Sequence, residues 1–287
     1  MAENAHAPPL SPKITPEELA GMIDHTRLKA FDPPKRIERV CREALEYNFA
    51  SVCIEPVFVP LCAKMLSGSS VMVCTVIGFP LGANSSKIKA LEAKAAVEEG
   101  AQEVDMVVNV GFVRAGMDAE VLAEIGGVVD VAKAGNAKTK VILETGYLTE
   151  EELVKACKLC VQAKADFVKT STGYGPRGAL PREIRIMRET VGPNIGVKAS
   201  GGIQNFRDAI ELIEAGANRI GTSASISIIE GYTWATLTGA WFSKESPCWK
   251  CPSRKTNLSK VPKELFLYYK KKCQSCPYNK EFNKFYE

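Results

Sequence analysis

The sequence predicts a (β/α)8 (TIM) barrel with a small Cys-rich extension at its C-terminal end, and three observations carry the prediction. Between Gly21 and Gly231, eight short β-like runs alternate with amphipathic stretches, a pattern that implies parallel strands joined by helical crossovers. Eight such units in so short a span fit a closed barrel better than an open doubly wound sheet. No Gly-rich nucleotide turn follows the first run, GMID, as such an open sheet would require.

The strands are expected at GMID (21–24), ASVCIEP (50–56), VMVCTVIG (71–78), EVDMVVNV (103–110), KVILET (140–145), DFVKTS (166–171), IGVKAS (195–200) and NRIGTS (218–223). Between them lie RIERVCREALEYN, a shorter VFVPLCAKMLSG, SSKIKALEAKAAVEEG, AEVLAEIGGVVDVAKAG, EEELVKACKLCVQAKA, PREIRIMRETVG and NFRDAIELIEAG, with apolar residues at three- and four-residue spacing. Thr15 with Glu18 and Thr149 with Glu152 have the capping-box pattern, the first with proline at the first helical position. Gly100, Gly135 and Gly216 stand where helices should stop.

The 287 residues, 46% hydrophobic and 24% charged, suffice for one large domain and an appendage. We expect residues 1–13, polar and proline-rich, to be disordered, residues 14–242 to form the barrel, and residues 243–287 to form the extension. With no apolar run long enough to span a bilayer and no signal-peptide core, we expect a cytoplasmic protein with no membrane partner. Residues 1–242 carry 26 basic and 29 acidic side chains, against 11 and 4 in residues 243–287, so the extension is a basic object on an acidic body. A solvated surface is the expected meaning of that charge, rather than a nucleic-acid site.

Three charges interrupt apolar strands. Asp105 lies in the fourth, Lys169 in the sixth and Lys198 in the seventh, and the C-terminal ends of barrel strands are where active sites form. Alternation puts Lys169 on the face of Phe167 and Lys198 on the face of Gly196, whose missing side chain is expected to leave room around it. Two lysines converging on one mouth repel as cations, so one should lose its proton and attack a carbonyl to form a Schiff base. Asp105 is placed to move protons as a carbinolamine dehydrates and a carbon–carbon bond breaks. The iminium is the electron sink, so no cofactor is expected for catalysis.

The glycines of SGGIQNF (Gly201, Gly202), the GTS run (Gly221, Thr222, Ser223) and STG (171–173, with Thr172 and Gly173) follow the last strands, a common place for backbone amides to meet phosphate. A phosphorylated substrate is the expected ligand.

MIDHTRLK (22–29), IGFPLGANSSKIKALEA (77–93), VDMVVNVG (104–111), ILETGYLT (142–149), VKTSTGYG (168–175), VKASGG (197–202) and IGTS (220–223) together resemble the deoxyribose-phosphate aldolases, from about Ile14 to Gly231. The resemblance implies reversible cleavage of 2-deoxy-D-ribose 5-phosphate to D-glyceraldehyde 3-phosphate and acetaldehyde, within deoxyribonucleotide catabolism, by a homodimer. It also implies Lys169 as the Schiff-base amine, Lys198 as the second lysine that depresses its pKa, and Asp105 as the proton relay. Asp24, Thr26 and Lys29 match first-strand residues that line the site. Glu144 is read as structural, Cys53 as a buried thiol, and Cys157 with Cys160 as helix packing.

Three positions depart from the family pattern. Tyr174 stands where some members have a lysine that reaches the phosphate, Gln204 where arginine is frequent, and Glu55 where a neutral polar or aromatic residue is expected. Glu55 and Tyr174 are the residues that would signal a Schiff-base aldolase of altered substrate. Beyond the barrel, Cys248, Cys251, Cys273 and Cys276 form two C-x2-C pairs whose spacing fits a four-cysteine structural zinc site. Iron–sulfur ligation uses the same thiolates, and an unstructured tail needs neither. A barrel serving as scaffold for a nucleic-acid- or protein-binding tail is the reading from another class, and the complete lysine–lysine–aspartate set argues against it.

Overall fold

The computed structural model describes residues 14–238. The disordered start expected for residues 1–13, and the extension with its cysteines Cys248, Cys251, Cys273 and Cys276, lie outside the described residues. Eight parallel strands close into a barrel in sequence order: β1 (Ile23–Arg27), β2 (Ser51–Ile54), β3 (Met72–Ile77), β4 (Glu103–Val107), β5 (Lys138–Ile142), β6 (Phe167–Lys169), β7 (Gly196–Ser200) and β8 (Arg219–Thr222). Closure is completed by β1 pairing with β8.

The outer layer comprises α1 (Pro16–Ala20), α2 (Pro34–Tyr47), α3 (Val59–Leu66), α4 (Ser86–Glu98), α5 (Val110–Ala115), α6 (Asp118–Ala134), α7 (Glu150–Gln162), α8 (Pro181–Val191), α9 (Phe206–Glu214) and α10 (Ser225–Thr238). Thr15 and Thr149 each make the reciprocal capping box with a glutamate three residues on. The main core lies between strands and helices, where residues of alternate strand parity such as Ile23, Val52, Val73, Val104, Val141, Val168, Val197 and Ile220 pack outward. Among the described residues no helix is long and apolar enough to cross a membrane.

Several strand bounds shift, the first from the expected 21–24 to Ile23–Arg27 and the sixth from 166–171 to Phe167–Lys169, and two further shifts have a local cause. The fourth strand ends at Val107, because the Asn109 side chain accepts from the Phe112 backbone N–H and starts α5, which the run of valines concealed. The fifth strand begins at Lys138 and ends at Ile142, since Glu144 takes a left-handed φ of 51° that no ladder accommodates.

Candidate active site

The barrel interior carries charge. Asp24, Glu103, Asp105, Lys140, Lys198 and Arg219 all face inward and are buried, and Lys169 is only 3% exposed at the upper layer. The ladder aligns them: Lys169 is in register with Lys198, Lys198 with Arg219, and Asp105 with Lys140. Asp105 Oδ2 lies 2.8 Å from Lys169 Nζ and 2.7 Å from Lys198 Nζ, while Oδ1 lies 2.8 Å from Lys140 Nζ. Lys198 Nζ also meets Asp24 Oδ2 at 2.5 Å, and Arg219 links Asp24 at 2.7 Å to Glu103 at 3.0 Å. Lys140 reaches Glu103 at 2.5 Å. The Ser51 hydroxyl donates to Asp24 Oδ1.

Lys169 and Lys198 were expected to converge on one mouth and to act on each other by direct repulsion. Instead the carboxylate of Asp105 sits between them, because β4 brings its side chain to the same layer. Burial pushes the Asp105 carboxyl up, yet Lys140, Lys169 and Lys198 outweigh it and hold the group well below the usual carboxylate range. Asp24 follows the same logic, with burial opposed by Lys198, Lys140 and Arg219. Burial pushes the Lys198 ammonium down, but Asp105 and Asp24 prevail and hold it charged. Lys140 is likewise held charged against burial, mainly by Asp105.

Glycines make space here for identifiable atoms. A Cβ on Gly196 would fall 2.0 Å from Phe167 Cδ1, so that glycine makes room for the Phe167 ring and not, as alternation suggested, for Lys198. Lys198 occupies the space over Gly221, where a Cβ would lie 2.9 Å from its Cε. Cys74 donates to Asp105 Oδ1 at 3.2 Å, and Cys53 is a fully buried thiol beside it, as expected. Cys157 and Cys160 are buried on α7.

At the mouth, Thr26 is half-buried and donates to the Asp24 carbonyl, whereas Lys29 is exposed on the following loop. Thr172 is held by Glu144, whose Oε2 accepts from both its N–H and its hydroxyl, which supports the structural reading of Glu144. Gly173, Gly201 and Gly202 have φ of 88°, 85° and 77°, a region open to glycine. A Cβ on Gly201 would lie 3.0 Å from Gly178 Cα and 3.6 Å from Gly173 Cα, so the loops after β6 and β7 touch backbone to backbone. Ser223 is exposed at the end of β8, and Gln204 is exposed with its N–H on Asp208.

Tyr174 crosses the mouth. Its hydroxyl donates to the Leu28 carbonyl, its ring meets Phe79 edge-on at 5.6 Å, and Lys29 Nζ stands 5.3 Å from the ring centroid. The loop after β6 is thereby joined to those after β1 and β3, on the far side of an eight-stranded ring. Burial, then Glu55, push the Tyr174 phenol up, and burial with Glu92 pushes the half-buried Glu55 carboxyl up.

Reasoning from sequence missed Lys140, Glu103 and Arg219. The available signal was parity: Glu103 is two residues before Asp105, and Arg219 two before Gly221, on the same inward face.

Residues 20–229 match the model of the DeoC/LacD family of aldolases. The deoxyribose-phosphate aldolase of Carboxydothermus hydrogenoformans is 55% identical over 220 residues, covering 76% of this chain and 96% of the relative. That of Clostridium perfringens is 58% identical over 215 residues, covering 75% and 96%. Among solved structures, an aldolase designated QR15 superposes with a TM-score of 0.72 at 42% identity, covering 76% of this chain and 97% of that one. The tetrameric deoxyribose phosphate aldolase of Aeropyrum pernix does so at 0.72 and 34%, covering 76% and 92%.

Proposed function

The chain belongs to the DeoC/LacD family of aldolases, and on that premise we propose that Lys169 forms the Schiff base through which its barrel performs the deoxyribose-phosphate aldolase reaction. The reaction is the reversible cleavage of 2-deoxy-D-ribose 5-phosphate to D-glyceraldehyde 3-phosphate and acetaldehyde. One observation carries the assignment: Asp105 Oδ2 lies within 2.8 Å of both lysine amines, so one carboxylate can pass protons between nucleophile and cation.

Charge count selects the nucleophile. Four cationic side chains, Lys140, Lys169, Lys198 and Arg219, share three carboxylates, so one proton is in surplus in a buried space. Lys198 and Arg219 each meet two carboxylates, Lys140 meets three, and Lys169 meets Asp105 alone at the mouth. Lys169 is therefore the amine placed to attack C1 of the open-chain sugar. The carbinolamine loses water, the C3 hydroxyl gives up its proton, and the C2–C3 electron pair moves into the iminium to leave an enamine. Glyceraldehyde 3-phosphate departs, a proton returns to C2, and water releases acetaldehyde. Lys198, held charged, and Asp105, held ionised, are the donor and acceptor for these transfers, and the iminium does the work a metal would otherwise do. Thr172, Gly173 and Gly201–Gly202, with Ser223, supply the phosphate end.

Intact-mass spectrometry after borohydride treatment with 2-deoxyribose 5-phosphate tests this. Wild-type protein should gain one reduced adduct and Lys169→Met none; an adduct surviving in the variant would move the Schiff base to another lysine.

A further inference from the structure

The residue after Asp24 faces the opposite way. His25 points out of the barrel from β1 and is buried among the surrounding helices. Its Nδ1 lies 2.8 Å from Ser225 Oγ, at the start of α10, and its Nε2 lies 2.9 Å from Glu43 Oε2 on α2. Arg39 Nε donates to the other Glu43 oxygen at 2.6 Å. Ser225 Oγ is 3.2 Å from the carbonyl of Thr222, the last residue of β8. The Thr222 hydroxyl donates to the Ile203 carbonyl at 2.7 Å and accepts from the Ala224 N–H at 2.9 Å.

Glu43 can only accept, so the ring proton is on Nε2 and the Ser225 hydroxyl shares its one proton between Nδ1 and the Thr222 carbonyl, which joins the contacts into one chain. It begins on α2, passes through the outer face of β1, and ends on both loops that follow β7 and β8. Schiff-base chemistry uses none of it, since the β1 side chain inside the barrel is Asp24 and His25 is on the other face. A site between strand and helix is ordinarily apolar, and burying an imidazole and a hydroxyl there, against a half-buried carboxylate, costs free energy that only well-made hydrogen bonds offset. The place where the chain ends is informative. Ser223 sits between Thr222 and Ala224, and Ile203 directly follows Gly201–Gly202, so the fixed atoms flank the backbone assigned above to the phosphate.

We propose that His25 is a positioning residue for the phosphate end of the substrate: through Ser225 it fixes the Thr222–Ala224 turn, and through Thr222 the Ile203 loop, at the spacing that lets backbone from both loops close on one anion. The inference rests on the phosphate reading of these loops. A preset pair of loops spares the bound anion the ordering cost of bringing them together, so its loss appears in binding and not in bond cleavage.

The experiment measures kcat and KM for 2-deoxyribose 5-phosphate and for unphosphorylated 2-deoxyribose, in wild type, Ser225→Ala, His25→Leu and His25→Asn. Ser225→Ala is nearly isosteric and guards against a variant that fails to fold. Ser225→Ala and His25→Leu should raise KM for the phosphorylated sugar about fivefold, the factor one hydrogen bond is worth, with kcat held within about twofold. Neither should change kcat/KM for the unphosphorylated sugar, and His25→Asn, whose amide meets Ser225 in place of Nδ1, should recover most of the loss. Equal losses with both sugars would reduce His25 to a packing role, and no loss with either would overturn the proposal. Wild-type protein with the same KM for both sugars would instead remove the phosphate reading itself, a failure visible before any variant is compared.

Discussion

Removing one side chain from the barrel interior has opposite consequences depending on its sign. Lys169→Met leaves three cations facing three carboxylates, and Asp105 keeps Lys140 and Lys198. Stability should therefore change by less than about 1.5 kcal/mol, as for a volume-conserving swap, while aldolase activity is abolished. Asp105→Asn leaves Lys140 and Lys198 each short of a carboxylate in a buried space and should cost about 3–5 kcal/mol as well as activity. Urea unfolding of both variants beside an activity assay separates the two effects; a Lys169→Met protein as unstable as Asp105→Asn would contradict the charge count. At this scale the sequence disclosed the upper layer and hid the lower. Asp105, Lys169 and Lys198 interrupt apolar runs and draw notice. Lys140 opens KVILET and Arg219 opens its strand, where a charge reads as a solvated strand end. Only closure of the barrel turns those starts into an interior, and closure is a property of eight strands together.

The segment between β3 and α4 shows how an element is fastened. Lys89, fully buried on α4, donates to the carbonyls of Gly82 at 2.6 Å and Val107 at 2.8 Å, and pairs with Glu124 of α6 at 2.9 Å. Glu124 Oε1 also accepts from the Asn109 N–H, so one ion pair ties the loop at residues 78–82 to the ends of β4 and the start of α5. Burial pushes the Lys89 ammonium down and the Glu124 carboxyl up, each partly opposed by the other. Lys89→Met should destabilise the protein by about 3–5 kcal/mol, because Glu124 is left buried without its cation. Adding Glu124→Gln should return part of that loss, a coupling of about 0.5–3 kcal/mol in a double-mutant cycle followed by urea unfolding. Additive losses would mean that the two side chains act separately. Helices were legible from periodicity and caps, but α5 was not, since Val107, Val108 and Val110 extend a β-like run and only the Asn109 side chain breaks it. The partner of Lys89 was equally hidden, because α4 and α6 meet only once the sheet between them has formed.

For the whole molecule the interior charges set a pH window. Asp24 and Asp105 have folded pKa values far below the unfolded value of about 3.9, so their stabilisation is present above that pH and is lost as pH falls through the folded values. Lys140 and Lys198 are shifted above the ordinary lysine value of about 10.4, so theirs is present below that pH and lost only as pH rises further. His25, pushed down by burial, is favoured neutral, and its contribution begins to fall below about pH 6.5. The urea midpoint should be level from about pH 7 to 10, decline gently below about 6.5 and drop steeply below about 4. A steep loss already at pH 5 would show that the interior carboxylates are not held as described. Barrel closure itself was legible, because strand number, helix spacing and strand-end charges agreed with one another.

Tyr174 adds a statement about time. Its ring is 51% exposed and crosses from the loop after β6 to Leu28 and Phe79, so a substrate reaching Lys169 passes it. Once its bond to Leu28 opens, such a side chain changes rotamer in picoseconds to nanoseconds, whereas at about 1 mM substrate and about 10⁷ M⁻¹s⁻¹ arrivals are about 100 μs apart. The ring completes thousands of excursions between visits. No arriving sugar waits for it, and its influence falls on which shapes are admitted, leaving the pace of turnover to chemistry and release.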